Sequence, residues 1–217
     1  MAFPFPQPGM ARRRQIWRQP LALALMGITL CGCSFDLGSL GPEKDKPQEA
    51  PKAAAAPDGS AVSAANVAEA QTHTTKAQGF AKSGETQAAL DEFNRAVALD
   101  PYNAQALYGR ALLYQGNNEH DFAIADFGAA SGLNPQKAEP LLGRAVSYLA
   151  IGKVKEAAAD LDEASEAEPQ NAQVWTTRGQ AYERLGDKAK AAASYNKAVA
   201  LRPRDDAARS GLARVGG

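Results

Sequence analysis

Few side chains in this 217-residue chain could do chemistry, and their spacing narrows what that chemistry could be. The two histidines, His73 and His120, lie far apart and beside no cysteine cluster. That is not the pattern of a metal site. Serines occur without a nucleophile-elbow motif and without a histidine in register to act as base. No glycine-rich loop follows a strand-like run, so no phosphate cradle is expected. The acidic residues read as solvated helix faces. The expectation is a protein that is not an enzyme and needs no cofactor and no metal. Two cysteines, Cys31 and Cys33, close a short apolar run near the amino terminus, and none follows. The body beyond them has no thiol for a disulfide or a redox role. Arg110, Arg144 and Arg178 form a basic column at 34-residue spacing. Acids such as Asp126, Asp160 and Glu166, read as belonging to neighbouring repeats, are expected to pair with them. Structural pairing is preferred to ligand binding.

The elements that would position such groups repeat with the same period. Pro101, Pro135, Pro169 and Pro203 are 34 residues apart. Three ladders keep phase with them: Ala89, Ala123, Ala157 and Ala191; Phe93, Phe127, Leu161 and Tyr195; Ala96, Ala130, Ala164 and Ala198. Ala89, Phe93 and Ala96 stand at i, i+4 and i+7, one face of a helix. The proline then stops that helix. Asn103, Asn171 and Asp205 follow, where the next helix needs an N-cap acceptor. Lys137 breaks the column, so the third repeat's first helix is expected to be the least well capped. That first helix has columns too: Leu107, Leu141 and Trp175; Ala77, Ala111, Ala145 and Gly179; Phe80, Tyr114, Tyr148 and Tyr182. Small residues let helices approach closely, and the aromatic fills the space beside them. Gly84, Asn118, Gly152 and Gly186 stand between the helices, where a left-handed exit is expected.

These columns resemble the tetratricopeptide repeat: a large residue, a small one, an aromatic, then Ala, aromatic, Ala and Pro. The resemblance covers about residues 70 to 205 and implies an all-α solenoid of four helix-turn-helix repeats (about 70–103, 104–137, 138–171 and 172–205). His73 departs from the large apolar residue of the first copy, and Arg110, Arg144 and Arg178 stand where the family often has Leu. Residues 206–217 are expected to form a capping helix through Ala208, Leu212 and Val215. At the other end Val62 to Ala70 is expected to lengthen the first helix. His73 and Thr74 are expected to make that edge polar.

The resemblance implies a concave groove lined by the first helices. Its expected partner-binding residues are Tyr108, Leu112, Leu142, Val146 and Leu149 in the middle copies. Gln173, Thr176, Gln180 and Glu183 follow in the last. An apolar patch with a polar rim suits an extended or helical peptide. Packing between helices is the alternative use of some of these residues, and the chain's own linker is an alternative occupant. The Lys and Asn clamp that chaperone-binding members use for a C-terminal carboxylate is not matched by Thr74, Gln78, Tyr108 and Leu112, so that ligand is not expected.

The amino terminus reads as an export signal. Arg12, Arg13, Arg14 and Arg18 precede the apolar run Leu21 to Leu30, too short for a bilayer span. Leu30-Cys31-Gly32-Cys33 resembles the bacterial lipobox, which implies a signal peptide over 1–32 and acylation of Cys33. Several acyl chains anchor firmly where one is marginal. An ordinary signal peptide with an incidental cysteine is one alternative, a twin-arginine signal at Arg13-Arg14 another, and Met10 is an alternative start. Ser34 implies outer-membrane sorting by resemblance. Residues 33–65 follow as the lipidated cysteine and a spacer with Pro42, Pro47, Pro51 and Pro57, expected to be disordered. About 28 spacer residues would reach roughly 30 Å as a random coil.

The whole chain is formally neutral, with 24 basic and 24 acidic residues. Without the four leading arginines it carries 20 against 24, a weakly acidic body with no footprint for nucleic acid. The expected function is a membrane-anchored adaptor or scaffold of the bacterial cell envelope, facing the periplasm. It would bind a protein or peptide partner, with the membrane reached through the lipid. Its layout is similar to the Tad pilus assembly lipoprotein, an analogy of architecture that points to pilus or secretion-system assembly. The alternative is a structural envelope protein that associates with its own copies.

Overall fold

The computed structural model describes residues 62–216. The export signal, Cys33 and the greater part of the spacer lie outside the described residues. Among the described residues nine helices run in order: α1 (Ala64–Ser83), α2 (Thr86–Leu99), α3 (Ala104–Gly116), α4 (His120–Leu133), α5 (Ala138–Ala150), α6 (Val154–Ala167), α7 (Ala172–Leu185), α8 (Lys188–Leu201) and α9 (Asp206–Val215). The described residues contain no strand.

Local chemistry sets the ends of these helices. Asn103, Asn171 and Asp205 each accept a backbone N–H from the first turn they precede, at 3.0, 3.2 and 3.0 Å. Ser63 does the same for α1. A lost cap of this kind costs about 1 kcal/mol. Lys137 caps nothing, as its side chain requires. The gap is filled from elsewhere: the Ala138 N–H donates to Glu168 Oε1, 3.0 Å away, at the end of α6. The turns between paired helices pass through Gly84, Asn118, Gly152 and Gly186, all at positive φ of 63 to 81°.

Pairing is sequential. α1 packs on α2, α3 on α4, α5 on α6 and α7 on α8, and every second helix also meets the first helix that follows it. First helices touch the next first helix along the array; second helices do not touch one another. The array therefore curves, with α1, α3, α5 and α7 on the inner side. The ladder residues form its core. Phe93, Phe127, Leu161 and Tyr195 are buried, and all eight alanines of the flanking ladders have no exposed surface.

A further rule links one hairpin to the next. The ring of Phe93 lies where a Cβ on Gly109 would sit, only 2.3 Å from it. Phe127 stands in the same way over Gly143, at 2.5 Å, and Tyr195 over Gly211, at 2.3 Å. Only glycine admits a ring so close to the backbone. Where the second helix carries the smaller Leu161, the next first helix carries Thr177 at the matching position. Ring size on one helix and Cβ presence on the next are matched at every junction.

The arginine column corrects one expectation. Arg110 grips Asp126 with two hydrogen bonds of 2.6 and 2.8 Å, and Arg144 grips Asp160 with two of 2.7 Å. These partners belong to the same hairpin, not to the neighbour. In the last copy Ser194 replaces the aspartate. Arg178 then bonds Ser194 at 2.8 Å and turns to Asp162 of the preceding hairpin at 2.7 Å, not to Glu166.

The first edge is corrected as well. Thr74 has no exposed surface and accepts from Asn103 Nδ2, while half-buried His73 bonds Glu92 of α2. Both tie helices together and neither forms a polar outer rim. At the far edge α9 buries Ala208 and Gly211, with Leu212 and Val215 packed beside them, as a cap requires.

Candidate functional site

The inner face carries the candidate site. Leu112 and Val146 are its exposed apolar side chains, at 43% and 37% of full accessibility. Tyr108 is half-buried beside them, its ring centroid 5.7 Å from that of Phe127 beneath. Gln173 is exposed and Gln180 half-exposed, forming the rim on the α7 side.

Three expected groove residues are not surface. Leu142 and Leu149 are buried at 8% and pack into the core of the last two hairpins. Thr176 is buried at 6%, its hydroxyl 2.8 Å from Asp205 Oδ2. These side chains are taken up by packing between helices, the alternative use that the sequence left open. Glu183 is also spoken for. Its carboxylate accepts from Arg214 at 2.7 and 3.0 Å and from the Tyr195 hydroxyl at 2.6 Å.

These donors hold the Glu183 carboxyl at about 2, with Arg214 the larger cause and Tyr195 next. Burial and the bond to Glu183 push the Tyr195 hydroxyl far above its ordinary range. The folded value for Glu183 lies below the unfolded one. Its stabilisation is therefore complete above the ordinary carboxylate range and lost as pH falls towards 2. Glu183→Gln should lower the thermal midpoint at neutral pH, and the gap from wild type should close between about pH 4.5 and 2. Thermal melts across that range check this.

A cleft of about 520 Å³ opens on the same face between α3 and α5. Tyr108 forms one wall. Ala104, Gln105, Asn134, Lys137, Glu139 and Pro140 complete it over the floor of Ala130. The sequence reading missed every residue of it but Tyr108. A tie found at the first and last hairpins is absent here, as it is at the third, where Leu142 and Asn171 hold the matching positions. In the first and last hairpins a threonine on the first helix bonds the next N-cap: Thr74 with Asn103, Thr176 with Asp205. In the second hairpin the matching positions hold Tyr108 and Lys137, which make no such bond. The broken N-cap column at Lys137 was the available signal. Burial and then the charge of Glu139 raise the Tyr108 hydroxyl.

Among the described residues no group of three His, Cys, Asp or Glu side chains could hold a metal ion. No described helix is long and apolar enough to cross a membrane. What the face offers is apolar contact, amide hydrogen bonds and the exposed carboxylate of Glu139.

A family model described as the tetratricopeptide repeat matches residues 74–138 and 142–209, more than half of the chain. The chain belongs to the tetratricopeptide repeat family. Solved structures share the repeat fold. The crystal structure of MamA is 18% identical with a TM-score of 0.64, covering 68% of this chain and 80% of that one. PilF of Pseudomonas aeruginosa is 20% identical with a TM-score of 0.61, covering 70% and 69%. The first repeat domain of Spaghetti (RPAP3), bound to the HSP90 peptide SRMEEVD, is 24% identical with a TM-score of 0.54, covering 55% and 95%. At these identities the likeness shows the fold alone. No curated protein matches the chain. The repeat fold is consistent with a protein–protein interaction role, and proteins of the family are generally non-catalytic scaffolds.

Proposed function

We propose that this chain is a lipid-anchored, non-catalytic adaptor of the bacterial cell envelope that holds a partner polypeptide on the inner face of its repeats. One observation carries the binding half of this reading. Leu112 and Val146 project from matching positions of adjacent first helices into solvent, beside the ring of Tyr108. Apolar side chains exposed together on a concave face suit a partner's side chains better than water. The RPAP3 domain holds its peptide in a repeat fold like this one, but Thr74, Gln78, Tyr108 and Leu112 carry no lysine for an acidic terminus. The tethering half rests on Leu30-Cys31-Gly32-Cys33 behind its arginine cluster. Outer-membrane residence facing the periplasm follows from Ser34 by the same resemblance. Pilus or secretion-system assembly is the proposed setting, in keeping with the fold shared with PilF.

Crosslinking in cells followed by mass spectrometry of the captured proteins tests both halves. Leu112→Glu with Val146→Glu changes only exposed positions. It should leave the melting curve in place and cut recovery of the partner about tenfold or more, the loss of a central apolar contact. Cys33→Ser should move the protein out of the membrane fraction. Unchanged recovery with the first variant would reject the groove. An unmodified amino terminus in the wild type would reject the anchor.

A further inference from the structure

We infer that the cleft between α3 and α5 takes a cationic side chain, lysine or arginine, from the bound polypeptide. This rests on the adaptor reading and adds the partner's chemistry to it. The cleft combines three things a long basic side chain needs. Ala104, half-buried on the cleft wall, gives apolar contact for the methylene stem. Such stems bury readily while the charged head stays near water. Tyr108 gives an aromatic face, and a cation over a tyrosine ring gains electrostatic attraction. Glu139 gives the counter-charge. It is exposed, and among the described residues it belongs to no ion pair. The amide oxygens of Gln105 and Asn134 stand on the same walls and accept from an ammonium or a guanidinium.

Lys137 also lines the cleft, and its charge must be placed. It acts on Glu168, whose carboxyl the Ala138 N–H and Asn171 lower most, with Glu139 and then Lys137 adding to the effect. After burial, Glu139 is the charge that raises the Tyr108 hydroxyl. Glu168 is held by the Ala138 N–H and the Asn171 amide. Glu183 is held by Arg214 and Tyr195.

The full chain in detergent is presented with a displayed library of random peptides. Wild-type protein should enrich peptides with lysine or arginine next to apolar residues. Glu139→Gln should remove the basic preference, and Glu139→Lys should turn it towards Asp and Glu. Both substitutions are at an exposed position, and an unchanged melting curve confirms the fold. Enriched peptides without basic residues, still lost with Leu112→Glu and Val146→Glu, would overturn the cationic pocket and leave the adaptor reading standing. Basic peptides that bind Glu139→Lys as well as wild type would overturn it too. Peptide binding that appears only after Lys44, Lys46 and Lys52 become glutamine would assign the pocket to the chain's own lysines, against a foreign side chain. Enriched peptides indifferent to both the Leu112 and Val146 pair and to Glu139 would overturn both readings.

Discussion

Gly143→Ala will destabilise the array by about 1–3 kcal/mol, the range for overfilling a packed core. The sign is the informative part. Alanine in place of glycine inside a helix is ordinarily favourable by up to about 1 kcal/mol. Here the new Cβ would meet the Phe127 ring at 2.5, 2.6 and 3.0 Å. The ring has no exposed surface and cannot swing into solvent, and Tyr108 packs against it from the inner face. Ring or helix must shift, and the shift opens the seam between the second and third hairpins. Gly132→Ala is the matched control. It sits within α4 with nothing inside 4 Å of its added carbon, so propensity alone should act and the urea midpoint should rise. Combining Gly143→Ala with Phe127→Leu copies the natural Leu161 and Thr177 junction. The double variant should be more stable than the sum of the two single losses, by about 0.5 kcal/mol or more of coupling. Urea midpoints of the four proteins decide it. A Gly143→Ala midpoint at or above wild type would mean that the ring is free to move.

The same junction shows why part of this structure was readable in advance. Proline stops, N-caps and left-handed turns are local: Pro101, Asn103 and Gly84 act within a few residues of themselves. The ladders are legible because each repeats its own neighbour at a fixed step. The glycines under the rings are harder, because the partner of Gly143 is on another helix and only the joint pattern across four junctions exposes it. Depth was the other loss. Periodicity assigned Leu142, Leu149 and Thr176 to the inner face, but it cannot say which side chains on that face fall into the seam between two helices. The cleft was hidden for a related reason. Its lining comes from α3, α4, α5 and the turn between the last two, and Lys137 in the broken N-cap column is the mark it leaves in the sequence.

Arg110→Met should cost more still, about 3–5 kcal/mol, the range found when one partner of a buried ion pair is removed. The side chains of Arg110 and Asp126 are exposed by only 13% and 11%, and two parallel hydrogen bonds join them. Arg110 also reaches back to Asn94 of the first hairpin at 2.9 Å, so it ties three helices. Methionine keeps much of the volume and leaves Asp126 with a carboxylate that has lost its partner. The loss is therefore mostly the stranded acid, not the worth of the pair. Arg110→Met with Asp126→Leu removes the stranded charge and should recover most of the stability. Arg178→Met offers the contrast, since its partner Asp162 is 42% exposed and water can solvate it. With the acid left in water rather than stranded, the loss should be smaller than for Arg110→Met, although Arg178 is itself largely buried and also bonds Ser194. If thermal melts gave Arg110→Met a loss no larger than about 1 kcal/mol, like that of an exposed pair, burial would not be what strengthens this pair, and the hairpins would owe their cohesion to the rings and alanines.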